Sequence, residues 1–227
     1  MMLHFNNSWQ TTGCLITLWL FCVLVGCTKE NHPVPTREAA VRTLKNKGTL
    51  FIRSGATGQT VRQLKDLPQT GYGVFGIMLN GQTSFNDNDL AVFKHLISLH
   101  TLQLKGTAIT DESRDVYLTL PRLQMLDLSN TSITDRTLSK LAGLKDVKEL
   151  LLANTSITDE GMEHLAEMFS LQKLDLSGTA VTPEALNRLT GLYNLLEIRM
   201  IGAEATRIPH EALRCSNPLC RVVTDAE

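Results

Sequence analysis

Apolar residues in this 227-residue chain fall into columns that repeat every 24 positions. Leu99, Leu102, Leu104, Thr107 and Ile109 are followed by Leu123, Leu126, Leu128, Thr131 and Ile133. The set recurs as Val147, Leu150, Leu152, Thr155 and Ile157, then as Leu171, Leu174, Leu176, Thr179 and Val181. A decayed copy, Leu195, Ile198, Met200, Ala203 and Ala205, closes the run. A repeat of this length predicts a solenoid, in which each coil buries its apolar face only against its neighbours.

Within a coil the pattern changes period. Leu126-x-Leu128 alternates, so both leucines belong to the inner side of a short strand. Thr134-Asp135 then opens a helix: the Thr hydroxyl can cap free N–H groups, and the Asp complements the helix dipole. Thr110-Asp111 and Thr158-Asp159 repeat the pair, and Thr182-Pro183 replaces it with a residue that favours the first helical position. Leu138, Leu141 and Leu144 follow at intervals of three, as do Leu186, Leu189 and Leu192, forming the inner face of a short helix. One coil departs from this pattern. After Thr110-Asp111 the expected Leu is Arg114, with Tyr117 at the next inner place, which predicts a rotated or frayed helix.

Residues 37–74 do not fit the repeat and read as an N-terminal cap. Ala40, Val41 and Leu44 predict a helix over 38–45 that Gly48 ends, and 49–53 a strand. Val61, Leu64 and Leu67 predict one or two further helical turns before Pro68. The first coil starts at Phe75, with Ile77 and Leu79 in its strand. Thr83 and Phe85 take the Thr and Ile places, and Asn86-Asp87 stands where later coils have Thr-Asp. The coils span 75–206, and 207–227 forms a C-terminal cap.

The N-terminus has a different character, with no Lys, Arg, Asp or Glu in the first 26 residues. The apolar run 14–25 is too short to span a membrane, which takes roughly 20 residues, but suits the core of a signal peptide. It ends in Leu24-Val25-Gly26-Cys27, which resembles the lipobox of bacterial lipoproteins. That resemblance implies a signal peptide over 1–26, cleavage after Gly26, and a lipid, palmitate among its acyl chains, on Cys27. The segment departs from such signals in offering only His4 and the terminal amine as early positive charge. Residues 27–36, with Pro33 and Pro35, read as a tether. Thr28 after the Cys, where Asp tends to retain lipoproteins at the inner membrane, leaves an outer-membrane location open.

The repeat L-x-x-L-x-L-x-x-T-x-I-T-D-x-x-L resembles bacterial leucine-rich repeat proteins, close to the cysteine-containing subtype. The resemblance implies an α/β fold, a right-handed leucine-rich repeat solenoid with a parallel sheet on the concave side and short helices on the convex side. It also implies that the turn threonines, Thr107, Thr131, Thr155 and Thr179, bond to backbone between coils.

Little in the chain points to catalysis. A formal charge of −1 gives no electrostatic reason for nucleic-acid binding. His32, His95, His100, His164 and His210 show no metal-ligand spacing, and no nucleophile or phosphate-loop motif occurs. Neither a metal nor a cofactor is expected. Asp127 and Asp175, two strands apart and so about 10 Å from each other, match the separation of inverting glycosidase carboxylates, but such pairs arise by chance on polar sheets. Cys215 and Cys220 have a spacing that permits a disulfide outside the cytoplasm; the alternative is a buried Cys220 and a free surface Cys215.

The outward strand positions carry the functional expectation. Between the inner leucines lie Gln103, Asp127, Leu151, Asp175 and Arg199, flanked by Thr101, Met125, Glu149, Lys173 and Glu197 on one side. Lys105, Ser129, Ala153, Ser177 and Ile201 flank them on the other. The chain therefore reads as a lipid-anchored, extracytoplasmic, non-enzymatic interaction module of the cell envelope, whose partner is an unknown protein or a glycan. The rival reading is a structural envelope protein without a soluble partner. A ubiquitin-ligase-type adaptor, suggested by the repeat subtype, conflicts with the signal-like N-terminus.

Overall fold

Helix α1 (Val34–Lys45) begins the part of the chain that the computed structural model describes, residues 34–202 and 217–224. It starts four residues earlier than the apolar pattern predicts. Ala39, Ala40, Thr43 and Leu44 are buried while Val41 sits on the flank, so the inner face is turned from the expected one. The left-handed residue that ends the helix is Lys47 (φ 56°), not Gly48. Gly48 serves close packing instead: a Cβ there would lie 2.7 Å from Leu79 and 2.8 Å from Thr43.

Nine strands form one sheet in the order β2-β1-β3-β4-β5-β6-β7-β8-β9 among the described residues. The hairpin β1 (Thr49–Ser54) and β2 (Thr57–Val61) is antiparallel, and β1 also pairs antiparallel with β3 (Gly73–Met78). Val61 thus belongs to a strand rather than a helix, and only a single 3-10 turn, Leu64–Asp66, remains of the predicted helical segment. From β3 onward every pairing is parallel: β4 (Thr101–Gln103), β5 (Met125–Asp127), β6 (Glu149–Leu151), β7 (Lys173–Asp175), β8 (Glu197–Arg199) and β9 (Arg221–Val223). The register advances by 24 residues at each step from β4 to β9, as the leucine columns require. This is a leucine-rich repeat solenoid.

The connecting helices are short: α2 (Asp87–Leu90) runs into a 3-10 turn (Ala91–His95), and α3 (Arg114–Tyr117) follows one (Asp111–Ser113). Next come α4 (Asp135–Leu141), α5 (Met162–Leu165) after the turn Asp159–Gly161, and a 3-10 helix over Pro183–Leu189. In the Pro183–Leu189 helix the spacing of three suits the winding, because side chains three apart eclipse in a 3-10 helix, whereas on α4 the same spacing still keeps Leu138 and Leu141 on one face. Leu138, Leu141 and Leu144 are buried, and so are Leu186, Leu189 and Leu192. In the Arg114 coil α3 carries the inner contact through Tyr117, which is fully buried with its hydroxyl 3.0 Å from Ser113 Oγ, while Arg114 turns back to donate to Asp111 O at 2.9 Å.

Two ladders fasten coil to coil, one of side chains and one mainly of backbone. In the first, the Asp opening one helix accepts two bonds from the Thr that caps the next. Asp87 holds Thr110 through its N–H (3.0 Å) and hydroxyl (2.7 Å), and Asp111 holds Thr134 at 2.9 and 2.7 Å. Asp135 holds Thr158 at 3.0 and 2.7 Å, and Asp159 holds Thr182 at 2.7 and 2.8 Å. Thr110, Thr134 and Thr158 also accept from the N–H two residues on, so one hydroxyl both caps its helix and ties the coils.

The second ladder runs through Gly106, Asn130, Asn154, Gly178 and Gly202, all at positive φ. Only Gly and, less readily, Asn take that conformation without strain. The N–H of each of the first four donates to the next coil, and Asn154 Nδ2 donates to Asn130 Oδ1 at 2.8 Å. The turn threonines do not work between coils as expected. Thr107, Thr131, Thr155 and Thr179 donate to the carbonyl three residues back in their own coil, at 2.5–2.6 Å.

At the far end Asn217 is buried and donates to Leu195 O at 2.6 Å, tying the segment before β9 to the preceding coil. Cys220 is buried, and burial pushes its thiol up to about 11. Cys27, Cys215, Ala203 and Ala205 lie outside the described residues.

Asp111 allows the ladder to be tested by pH. Burial pushes its carboxyl up, but hydrogen bonds from Thr137 and Thr134 and the Arg136 charge outweigh that and hold it below its ordinary value. A carboxyl depressed in the folded state stabilises above its unfolded pKa, near 4, and loses that contribution as pH falls through the folded value. Asp111→Asn is expected to cost about 1.5–3 kcal/mol in urea melts near pH 6, since the lost acceptor is charged. The gap to the parent should shrink below about pH 4. A gap of the same size at both pH values would show that the carboxylate charge contributes nothing.

Candidate functional site

Because side chains on a strand alternate, each three-residue strand sends its middle residue into the core and the two beside it outward. Parallel pairing then aligns the outward residues of successive coils. Gln103, Asp127, Leu151, Asp175 and Arg199 stand opposite one another in order, and so do Thr101, Met125, Glu149, Lys173 and Glu197. These two predicted columns come together as rows across one sheet face, at about 4.8 Å per strand, while Lys105, Ser129, Ala153, Ser177 and Ile201 follow two residues after the strand ends.

Much of the polar chemistry on this face is already engaged. Gln103 accepts from Asn80 Nδ2 at 2.8 Å and points its own amide at Met125 Sδ, 3.6 Å away. Lys173 lies 3.8 Å from Glu149, and Arg199 donates to Glu197 at 2.6 Å. Asp127 accepts from Ser129 N–H at 3.0 Å and is only 6% exposed, so it has little surface to offer a partner. Asp175 accepts from Ser177 N–H at 2.9 Å and is half-buried. Each carboxylate therefore closes its own turn, with the Leu151 strand between them.

Leu151 is the exception in its row, an apolar, half-buried side chain on the middle strand with charged or polar residues around it. In the third column Lys105 and Ile201 are exposed, while Ser129 is buried and Ser177 Oγ accepts from Ile201 N–H at 3.1 Å.

Sequence reasoning missed a set of exposed apolar residues in the turns ahead of the strands. In the turn ahead of each strand one position repeats at the same interval: Ile97, Pro121, Lys145, Phe169 and Tyr193. Phe169 and Tyr193 are 61% and 75% exposed, and Leu196 and Ile201 near them in sequence are also exposed. The column was visible as a 24-residue period but is not a leucine position, so the core pattern hides it.

His100 donates from Nδ1 to Ser98 O, and His164 is half-buried on α5. Among the described residues no group of three His, Cys, Asp or Glu side chains is placed to hold a metal ion.

The chain matches no protein-family model and no curated protein. Among solved structures it is similar to an internalin C2 from Listeria monocytogenes, at 17% identity and a TM-score of 0.47, over 66% of this chain and 80% of that one. A structure of PEPR1-AtPEP1 aligns at 20% identity and a TM-score of 0.43, over 58% of this chain and 18% of that one. An internalin (inlF) from Listeria monocytogenes aligns at 19% identity and a TM-score of 0.38, over 59% of this chain and 49% of that one. The fold assignment stands on the strand register above, independently of these likenesses.

The two faces of β6 differ sharply in cost. Leu150→Ala empties a fully buried position and is expected to cost about 2–5 kcal/mol. Leu151→Ala, on the outward face, should cost less than about 1 kcal/mol. Equal shifts in chemical denaturation would overturn the assignment of inner and outer faces.

Proposed function

We propose that this chain is a non-enzymatic leucine-rich repeat module that binds a protein partner across the outer sheet face. The observation that carries this is Leu151, an apolar side chain held in the middle of a polar row, where a partner could bury it. The backbone beneath is rigid, since every strand is paired on both sides from β1 to β8. Outward residues there can vary without touching the core. The C-terminal coils expose further apolar side chains, Phe169, Tyr193, Leu196 and Ile201, which favour a protein over a glycan.

A second reading has its own support. Glu149 with Lys173, Glu197 with Arg199, and Gln103 with Asn80 satisfy one another. A face whose polar groups are already paired is also what a purely structural envelope protein would present.

The anchoring is part of the same proposal and rests on the sequence alone. Leu24-Val25-Gly26-Cys27 after an apolar run supports lipidation of Cys27 and an extracytoplasmic, envelope location. No helix among the described residues is long and apolar enough to cross a membrane.

Two experiments follow from this. Cross-linking in intact cells should capture a partner, and Leu151→Glu should weaken that capture at least about tenfold, or 1.4 kcal/mol, with little change in melting. Glu163→Lys, on the helix side, should leave capture unchanged; loss by Glu163→Lys alone would move the site, and no effect of either would favour the structural reading. Separately, radiolabelled palmitate should enter the parent protein but not Cys27→Ser, which should accumulate as an uncut precursor. Normal cutting and release of that variant would remove the lipid anchor from the proposal.

A further inference from the structure

Where the strands begin, near the N-terminal end of the sheet, a cleft of about 370 Å³ opens between the hairpin and the first coils. Its lining includes Arg53, Gly73, Phe75, Ser98, His100 and Arg122. Arg53 pairs across the sheet with Gly73. Ser98 and Arg122 stand in the turns three residues ahead of β4 and β5, and both line the cleft beside Gly73 at the start of β3. Two long cationic side chains thus flank two of the smallest residues in the chain. The space between them is open: a Cβ added to Gly73, or to Gly55 beside it, would meet nothing within 4 Å.

The charge of this cleft is unbalanced. Among the described residues no acidic side chain lines it. The ion pairs among the described residues use Arg42, Arg114, Lys140, Lys173 and Arg199, and neither Arg53 nor Arg122. Arg53 is nonetheless oriented, because its guanidinium lies 5.7 Å from the centre of the Phe75 ring, which packs in turn against Phe51 at 6.3 Å. His100 adds a third polar group. Its Nδ1 is 2.6 Å from the Ser98 carbonyl oxygen, which can only accept, so Nδ1 carries the hydrogen; Nε2 is then an acceptor and gives an anion no hydrogen bond, which leaves that task to the two guanidinium groups.

We propose that this cleft binds a small organic anion, a phosphate or carboxylate gripped by Arg53 and Arg122, with an apolar body against Phe75. Guanidinium forks match both oxyanions in a bidentate manner. The volume falls within the range of small-ligand pockets, roughly 300–1,000 Å³, which favours a free small molecule over an extended chain. The site lies apart from the Leu151 row, so it stands or falls independently of the partner-binding proposal.

Calorimetric titration of the full-length chain with phenyl phosphate, benzoate and inorganic phosphate tests this. Phenyl phosphate or benzoate should bind saturably and more tightly than inorganic phosphate; which of the two is favoured identifies the oxyanion. Arg53→Ala and Arg122→Ala should each weaken binding about tenfold or more, with melting unchanged because both side chains are exposed. Arg53→Lys should also weaken it, since it keeps the charge but loses the fork. No saturable binding up to about 10 mM by a folded chain, or binding that both alanine variants retain, would overturn the site.

Discussion

The fold depends on a carboxylate in one coil gripping a threonine in the next. Burial holds the leucines in the interior but is indifferent to small rotations of one coil over another, because dispersion has no direction. The bidentate Asp–Thr contact does have a direction. The threonine it fixes is also the cap of its own helix, so each helix start is positioned by the helix before it. At Thr182 the arrangement stops: Asp159 still holds it, but Thr182 makes no side-chain cap and Pro183 has no carboxylate to continue the ladder. At the other end Asn86 is secured by a capping box with Asp89 in place of a preceding coil, and Arg42 of α1 reaches Asp89 at 2.7 Å.

The leucine columns from Leu99 to Met200 were legible because they alternate along a strand and recur at a constant interval, and both periods are properties of the sequence. The Thr–Asp pair was legible only as a local cap. Its two residues are adjacent in the chain, so their partnership with other coils, 23 residues away, is invisible until register is known. The turn threonines failed in the opposite sense. A contact expected between coils proved to be local, because a hydroxyl three residues past a carbonyl already reaches it. The hairpin was missed because β2 buries only Val61, which leaves no alternating apolar signal. The Gly55-Ala56 turn, with Gly55 at φ 61°, was the available clue.

The candidate face divides along similar lines. Which residues share a row follows from the register, and that could be read from the sequence. How much of each side chain remains available depends on local bonds that no period encodes. Asp127 and Asp175 occupy equivalent positions, yet Asp127 is buried and Asp175 is not. The cleft beside Phe75 was hidden for a further reason: Arg53, His100 and Arg122 come from a hairpin and two coils, and their meeting depends on the antiparallel β1–β3 pairing.

The Asp–Thr contact has the same geometry from coil to coil, which bears on how an array of this kind changes length. A loss of the 24 residues from Asp111 to Thr134 would join Thr110 directly to Asp135. Thr110 would keep its Asp87 partner and Asp135 its Thr158 partner. Recombination between repeats can therefore add or remove whole coils without inventing a new interface, whereas an event out of phase must be absorbed in the coil where it falls, as the 25-residue step from β3 to β4 is before the 24-residue steps that follow. In such an array the number of coils can drift while the unit itself stays fixed, and the span of the outer face becomes a trait that selection can adjust in steps of one strand.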